Sequence, residues 1–279
     1  MLTSYSGIRY LLYLFSSLLL LWCLIRMWRT VGKPATLVLA FALLTVNVFV
    51  MQFSLQFVPV LMLATGAVLW ITYHPTQDGG LAMLVVGSLT AFFDLITVPT
   101  ITLGLPLVVW VAMHREEDLR RGLWALVRLG LWWLAGYALT WFAKWGIATL
   151  FTDENIFADA YGQSMYWSEG GGSYVGQAIA ANVDMLHWKW VMSAFVVLLL
   201  AAVWHPRVQG WKEAVRYLML ALIPFGYYVV MAHPAVNHAW YNYRALAVDV
   251  FALLMAVAAM VDWKKTCNVF KKVKYKSKS

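Results

Sequence analysis

Residues 188–204 have the sequence WKWVMSAFVVLLLAAVW, and this run decides the fold class. It is apolar apart from Lys189 and is long enough for a membrane-spanning helix, which needs about 17–25 mostly apolar residues. The rest of the chain agrees, since 62% of the 279 residues are hydrophobic and only 12% are charged. A soluble domain carries about 25% charged residues. The composition therefore indicates a membrane protein and excludes a disordered chain, a secreted disulfide scaffold and a cytosolic α/β enzyme.

Similar apolar runs recur along the whole chain and predict an all-α, polytopic transmembrane bundle of about nine helices. The candidate spans are 8–25, 34–51, 56–73, 81–96, 100–113, 122–148, 188–204, 217–232 and 245–262. The fourth and fifth are short for a full span, and the stretch from Asp94 to Pro99 separates them. They form either two tilted helices or a re-entrant hairpin.

The distribution of basic residues predicts the orientation. The loops after the first, third, fifth and seventh candidate spans, together with the C-terminal tail, hold 16 of the 21 Lys and Arg residues. Cytoplasmic segments are enriched in these residues, so we expect a cytoplasmic C-terminus and, with an odd number of spans, an outside N-terminus. Arg9 then lies on the outer side. Either the first helix inserts with its N-terminus outward, or the chain is part of a longer protein.

The predicted organisation is a transmembrane domain over 1–262, with an outside loop at 151–187, followed by a polybasic cytoplasmic tail at 263–279. Seven lysines in that tail predict contact with anionic lipid headgroups, whereas a nucleic-acid partner is not expected. Cys23 and Cys267 are too few for a disulfide framework and are expected to be free thiols.

Three polar segments on the predicted outer side are candidates for a site. The first contains Asp94, which either ends its helix among headgroups or faces a pocket as a base or a cation ligand. The second runs from His233 to Arg244, and a continuous helix there would align His238 with Asn242, and Asn237 with Tyr241 and Arg244.

The third segment is the 151–187 loop, whose aromatic residues include Tyr166 and Trp167. It either lies on lipid headgroups or covers a substrate. Gln56, at the start of the third candidate span, adds an amide on the same side. The sequence contains no phosphate-binding glycine loop, zinc motif or nucleophile elbow.

Three motifs resemble segments of large bacterial polytopic membrane proteins whose layout is similar to the GT-C class of glycosyltransferases. They are FDLITVP at 93–99, which continues as TLGLP at 102–106, SLQFVP at 54–59, and NHAWYNYR at 237–244. The chain resembles the C-terminal part of such a protein. The resemblance implies a bacterial inner-membrane enzyme that transfers a sugar from a polyprenyl-phosphate donor on the outer side.

The resemblance also implies roles for the candidate residues. Asp94 would face the acceptor or a divalent metal ion, and Tyr166 and Trp167 would stack on sugar. The expected donor-binding residues are Arg244, His238, His233, Tyr243, Asn237 and Gln56. One departure stands against catalysis, because the first outer loop of this chain, at 50–56, lacks the acid that GT-C enzymes carry there. The alternative is a non-enzymatic membrane protein, either a lipid or polysaccharide transport component or an assembly scaffold.

Overall fold

The computed structural model describes residues 5–94, 96–167 and 171–266, and these residues are helical with no strand. The all-α class predicted from the sequence is confirmed over this part of the chain. The only pairing of extended backbone there is an isolated antiparallel bridge between Pro206 and Val261.

The helices fall into two groups along the chain. The helices up to residue 152 are α1 (Tyr5–Thr30), α2 (Lys33–Thr45), α3 (Val48–Phe53), α4 (Val58–Tyr73), α5 (Gly80–Phe93), α6 (Thr100–Met113) and α7 (Leu119–Thr152). The later helices are α8 (Ile156–Trp167), α9 (Gly171–Asp184), α10 (Trp188–Trp204), α11 (Trp211–Ala221), α12 (Ile223–Val230), α13 (Ala232–Asn237), α14 (Ala239–Asn242) and α15 (Leu246–Ala259). Short 3₁₀ turns precede α11 and α15.

Several of these helices suit a membrane. Within the described residues, four continuous helical stretches are long and apolar enough to cross one: α1, α7, the α11–α12 stretch, and the stretch that ends with α15. A fifth arises if α9 and α10, which meet at 80°, form one broken span. Four shorter apolar helices, α2, α4, α5 and α6, accompany them. By length and composition these are the helices of a multi-pass membrane protein.

The bundle has two polar ends, and the first, which we call the Arg216 end, gathers basic residues. Arg216 is fully buried there and donates hydrogen bonds to the backbone carbonyls of His114 and Glu116. Nearby, Arg207 donates to both carboxylate oxygens of Glu213, at 3.0 and 2.8 Å, and this pairing raises the pKa of Arg207. Arg207 and Arg216 therefore bind a carboxylate and two loop carbonyls at this end of the bundle.

The opposite end, which we call the Asp94 end, contains the break between α5 and α6. Arg9 donates to the carbonyl of Phe53 here, at 2.9 Å, and Lys144 donates to the carbonyl of Ala91 at 2.6 Å. The Lys144 ammonium thus satisfies a carbonyl at the C-terminal end of α5. Lys144 therefore anchors this end of α5.

Glycines allow α5 and α7 to pack backbone to backbone. A Cβ atom on Gly87 would lie 2.0 Å from the carbonyl oxygen of Trp133, and one on Gly136 would lie 2.0 Å from that of Leu84. Ser88 donates a hydrogen bond across the same contact to the carbonyl of Gly136, at 3.2 Å. Small residues of this kind drive helix association in a bilayer, where a hydrophobic driving force between helices is lacking. This contact fixes α5, and with it the position of Asp94.

Helix α15 lies at the centre of the bundle, and most of its residues are buried on every face. It contains Asp249, which is only 3% exposed. Gly104 of α6 contacts this helix so closely that a Cβ atom there would lie 2.2 Å from a methyl group of Val248.

Two sequence predictions about continuity need correction. The 151–187 segment, expected to be a long loop, forms α8 and α9, and α7 extends to Thr152 before them. The predicted span 217–232 begins earlier, at Trp211, and is divided at Leu222 into α11 and α12. The aromatic and glycine-rich composition of 151–187 does not predict helices. The two helices pack against α13, and such tertiary contacts stabilise short helices.

Candidate functional site

Asp94 closes the C-terminal end of α5 and is fully buried. Its carboxylate accepts hydrogen bonds from both the backbone amide and the hydroxyl group of Thr97. The sequence left open whether Asp94 ends its helix among headgroups or faces a pocket; in the structure it ends α5 and is enclosed by protein. Through these hydrogen bonds to Thr97, the carboxylate stabilises the turn that joins α5 to α6.

That turn contains a strained residue. Ile96 has a φ of 60°, in the left-handed region that β-branched residues rarely occupy. The hydroxyl group of Tyr227 donates to the carbonyl of Ile96 at 2.9 Å and lies 3.3 Å from that of Thr97. Strained backbone of this kind persists only where its surroundings hold it, and it concentrates at functional sites.

Tyr227 also connects the Asp94 turn to the 233–244 segment. Its hydroxyl lies 3.3 Å from the side-chain oxygen of Asn242, which is itself fully buried. The amide nitrogen of Asn242 donates to the carbonyl of Pro234, at 3.2 Å. The two segments therefore lie at the same end of the bundle, as predicted, but they do not share an open cavity, because Asp94 is enclosed.

The predicted continuous helix through this second segment is wrong. The chain forms α13, breaks at His238, forms α14, and passes through a 3₁₀ turn at Tyr243–Ala245 before α15 begins. His238 has φ −123° and ψ 32°, which are not helical angles. The two polar stripes inferred from helical spacing therefore do not form.

Arg244 is one of two buried arginines without an acidic partner in the described part of the chain; the other, Arg216, donates to two backbone carbonyls at the opposite end. Arg244 is 4% exposed, and its guanidinium carbon lies 5.1 Å from the ring centroid of Phe57 and 5.0 Å from that of Tyr243. One terminal nitrogen donates to the carbonyl of Trp240, at 3.0 Å, while Nε is buried without a hydrogen-bond partner. No carboxylate among the described residues lies within salt-bridge distance of it.

Neighbouring polar groups surround this arginine. The Tyr243 hydroxyl accepts a hydrogen bond from the amide of Asn47, at 2.9 Å, and Asn47 itself has a left-handed φ of 56°. His238 is exposed and stacks on Tyr241, with ring centroids 5.2 Å apart. Tyr241 in turn contacts Phe57, at 5.9 Å between centroids. These contacts place His238 beside the arginine's aromatic enclosure.

His233 belongs to a separate aromatic group. Its ring lies 4.5 Å from that of Tyr166 and 5.5 Å from that of Tyr174, between centroids. Asn237, which is exposed, has its amide nitrogen 3.3 Å from the His233 ring nitrogen. Trp167 is partly buried against the core. Helices α8 and α9 thus present rings next to the 233–244 segment.

A cavity of about 520 Å³ lies at the same end, near the turn between α3 and α4. Arg9, Tyr5, Ser54 and Gln56 supply its polar lining. Gln56 is therefore an exposed residue of this cavity. Sequence reasoning did not include Arg9 in the site, although a cation on the cation-poor side was the available signal.

The described residues do not form a metal site, because no three His, Cys, Asp or Glu side chains come together in them. Asp94 in particular has a threonine partner and no second acid. The expected divalent ion therefore has no matching set of ligands in this part of the chain. The site's other missed members, Tyr227 and Asn47, lie within largely apolar or aromatic stretches, where an isolated amide or a tyrosine pair was the only sign.

Comparisons of the chain with protein-family models, with curated proteins and with solved structures find no match in any of the three.

Proposed function

We propose that this chain is, or forms the C-terminal part of, a GT-C-like membrane glycosyltransferase that binds a polyprenyl-phosphate sugar at the Asp94 end. The observation that carries the proposal is Arg244, a buried arginine at this end that has no acidic partner among the described residues and donates to a single backbone carbonyl. A buried charge normally requires a counter-charge, since removing it from water costs several kcal/mol. An anionic ligand would supply what the described residues do not.

The surroundings of Arg244 suit a phosphate better than a carboxylate of the protein. The Phe57 and Tyr243 rings stabilise the cation by about 0.5–2 kcal/mol each, which holds it in place before any anion arrives. The guanidinium group offers a planar fork that matches phosphate oxygens. His238, next to this enclosure through Tyr241, adds a second donor for the same phosphate.

Other groups at this end match the remaining parts of such a donor. The cavity beside Gln56 brings Arg9 and hydroxyl groups to headgroup level. Tyr166, Tyr174 and His233 form an aromatic group on which a sugar ring can stack. Trp167 lies next to Tyr166 along α8.

The reaction would proceed by attack of an acceptor hydroxyl on the anomeric carbon, with the phosphate leaving. Arg244 would stabilise the negative charge that develops on the leaving phosphate. Asp94 would accept the proton of the acceptor hydroxyl, which requires its carboxylate to leave Thr97. The strained turn at Ile96 is the element that would move.

The same proposal specifies the topology. The Asp94 end lies outside and the Arg216 end lies in the cytoplasm of a bacterial cell, because the latter gathers most arginines of the loops. With α2–α3, α9–α10 and α11–α12 each counted as one passage, the chain crosses nine times. The C-terminal lysines then meet anionic lipids of the inner leaflet; of this tail, residues 267–279 lie outside the described residues.

The direct test is the replacement Arg244→Lys in the purified full chain. Lysine keeps the charge but loses the fork, so we expect undecaprenyl phosphate to bind about ten- to a hundredfold more weakly, which corresponds to about 1.5–3 kcal/mol. His238→Ala should also weaken binding. Lys189→Ala is the matched control, since Lys189 is an exposed cation at the same end of the bundle.

Affinity is measured in detergent at fixed salt, with undecaprenol as the ligand that lacks phosphate. Equal affinity of the Arg244→Lys variant and the unmodified protein would reduce Arg244 to a packing residue and end the proposal. Tight phosphate-dependent binding without sugar transfer from a loaded donor would instead favour a lipid-phosphate carrier over an enzyme.

A further inference from the structure

A second cavity, at the opposite end of the bundle, is a long apolar groove. Its volume is about 750 Å³, within the range of about 300–1,000 Å³ typical of ligand sites. Helices α4, α5, α6 and α7 form its walls. The residues that define it are Gly66, Trp70, Val85, Leu89, Leu107 and Trp110. From Gly80 to Leu89 it follows α5 for about 14 Å, which is the scale of a lipid acyl chain rather than of a compact metabolite.

The groove is polar only at its mouth. Gln77 and Asp78 line it there, and Asp78 forms a salt bridge with Arg128 of α7. Both charged side chains remain about half exposed, at 60% and 47%. A carboxylate and a guanidinium group therefore lie side by side where the groove opens at the surface of the protein.

One polar atom within the groove wall lacks a partner. The indole Nε1 of Trp110 is buried and has no hydrogen-bond acceptor among the described residues. Trp110 itself is 9% exposed and stacks on His114, with centroids 4.2 Å apart. An indole N–H can only donate, and a buried donor without an acceptor is costly. Because this nitrogen is not exposed to the groove, a group of a bound molecule can accept its hydrogen only after the Trp110 side chain turns toward the groove.

We propose that this groove binds a phospholipid with an amine-bearing, zwitterionic headgroup, such as phosphatidylethanolamine. The lipid phosphate would bind Arg128 and its ammonium group would bind Asp78. An ester carbonyl, one level deeper, would accept the Trp110 N–H once that side chain turns toward the groove, and an acyl chain would fill the space beside Gly66. A purely anionic headgroup would meet the Asp78 carboxylate without an ammonium group to balance it. This inference is independent of the proposed function, which concerns the other end of the bundle.

The test compares two lipids with identical palmitoyl and oleoyl chains, phosphatidylethanolamine and phosphatidylglycerol. Native mass spectrometry of the full chain in detergent counts the bound lipids at each concentration. We expect one saturable binding site for phosphatidylethanolamine, with an affinity at least about fivefold higher than that for phosphatidylglycerol. Equal binding of both lipids, or no saturable binding of either, would overturn the proposal.

Three variants examine the groove, and the first has a matched control. Gly66→Leu fills the groove where a Cβ atom meets nothing within 4 Å, and should weaken binding about tenfold. Gly146→Leu makes the same change at an equally open position of α7 outside the groove, and should have no effect. Trp110→Phe should weaken binding about two- to tenfold. Asp78→Asn should abolish the preference between the two headgroups.

The three variants allow the proposal to be refuted even if one of them does not fold. If Gly66→Leu does not fold, Trp110→Phe and Asp78→Asn still address the hydrogen bond and the headgroup. A folded Gly66→Leu variant that binds like the unmodified protein refutes the groove as the site. An Asp78→Asn variant that still prefers phosphatidylethanolamine refutes the assignment of the headgroup.

Discussion

The contact between α5 and α7 leads to a sharp prediction about stability. Gly87→Ala adds a Cβ atom 2.0 Å from the carbonyl oxygen of Trp133, whereas non-bonded heavy atoms essentially never lie within 3.0 Å of a Cβ atom. The obstacle is backbone rather than a flexible side chain, so the two helices must separate by about 1 Å. Overpacking of this kind costs about 1–3 kcal/mol. Separation also weakens the hydrogen bond from Ser88 to Gly136, which adds about 0.5–1.5 kcal/mol.

We therefore expect Gly87→Ala to lower the free energy of unfolding by about 2–4 kcal/mol, or the Tm by roughly 5–15 °C. Gly136→Ala should have a similar effect, because its Cβ atom would meet the carbonyl oxygen of Leu84 at 2.0 Å. The double variant should lose less than the sum, since either change alone already separates the same two helices.

The control is at Gly130, which lies on α7, the same helix as Gly136. Gly130→Ala adds a methyl group where nothing lies within 4 Å, and alanine favours a helix over glycine by about 1 kcal/mol. The control should therefore be neutral or stabilising, opposite in sign to Gly87→Ala. Thermal unfolding of the purified protein in one detergent measures all four variants. Equal stability of the Gly87→Ala and Gly130→Ala variants would show that α5 and α7 do not pack backbone to backbone.

Three further outcomes are expected. Tyr227→Phe removes the hydroxyl that holds the strained turn after α5, and should cost about 1–3 kcal/mol in the same thermal assay; no loss would mean that this hydroxyl does not hold the turn. Glu213→Gln removes the charged partner of Arg207 and should cost about 2 kcal/mol, an effect that high salt should not abolish because the pair is partly buried. In a background without native cysteines, Asp153→Cys should react with an impermeant thiol reagent on intact cells and Arg120→Cys should not; the reverse pattern would invert the proposed topology.

Much of the helical arrangement followed from the sequence, because apolar length and helix breakers act locally. The spans predicted at 100–113 and 188–204 match α6 and α10 residue for residue. The break between Asp94 and Pro99 was also visible, since proline cannot continue a helix without losing a hydrogen bond. Composition alone established the membrane class, because so few charges cannot cover a soluble surface.

The sequence was less informative where helices are short or interrupted. The 151–187 segment resembled a loop, yet α8 and α9 form, and Asn182 of α9 is bonded to the carbonyl of Ala235, 53 residues away. The break at His238 was also missed, because a helical stripe assumes a continuous backbone. Short helices depend on tertiary contacts rather than on intrinsic propensity, so a local pattern does not reveal them.

The sequence by itself thus determined an all-helical membrane chain, its longer helices and the side on which its cations gather. Only the tertiary structure decided the state of the two residues on which the site depends. Asp94 is enclosed because Thr97 and Tyr227 close its turn, and Tyr227 comes from 130 residues further along the chain. Among the described residues, Arg244 has no acidic partner because the side chains that fold around it are aromatic. The physical reason is the same for both: burial and pairing depend on which distant residues come together, and residue type and spacing do not specify them.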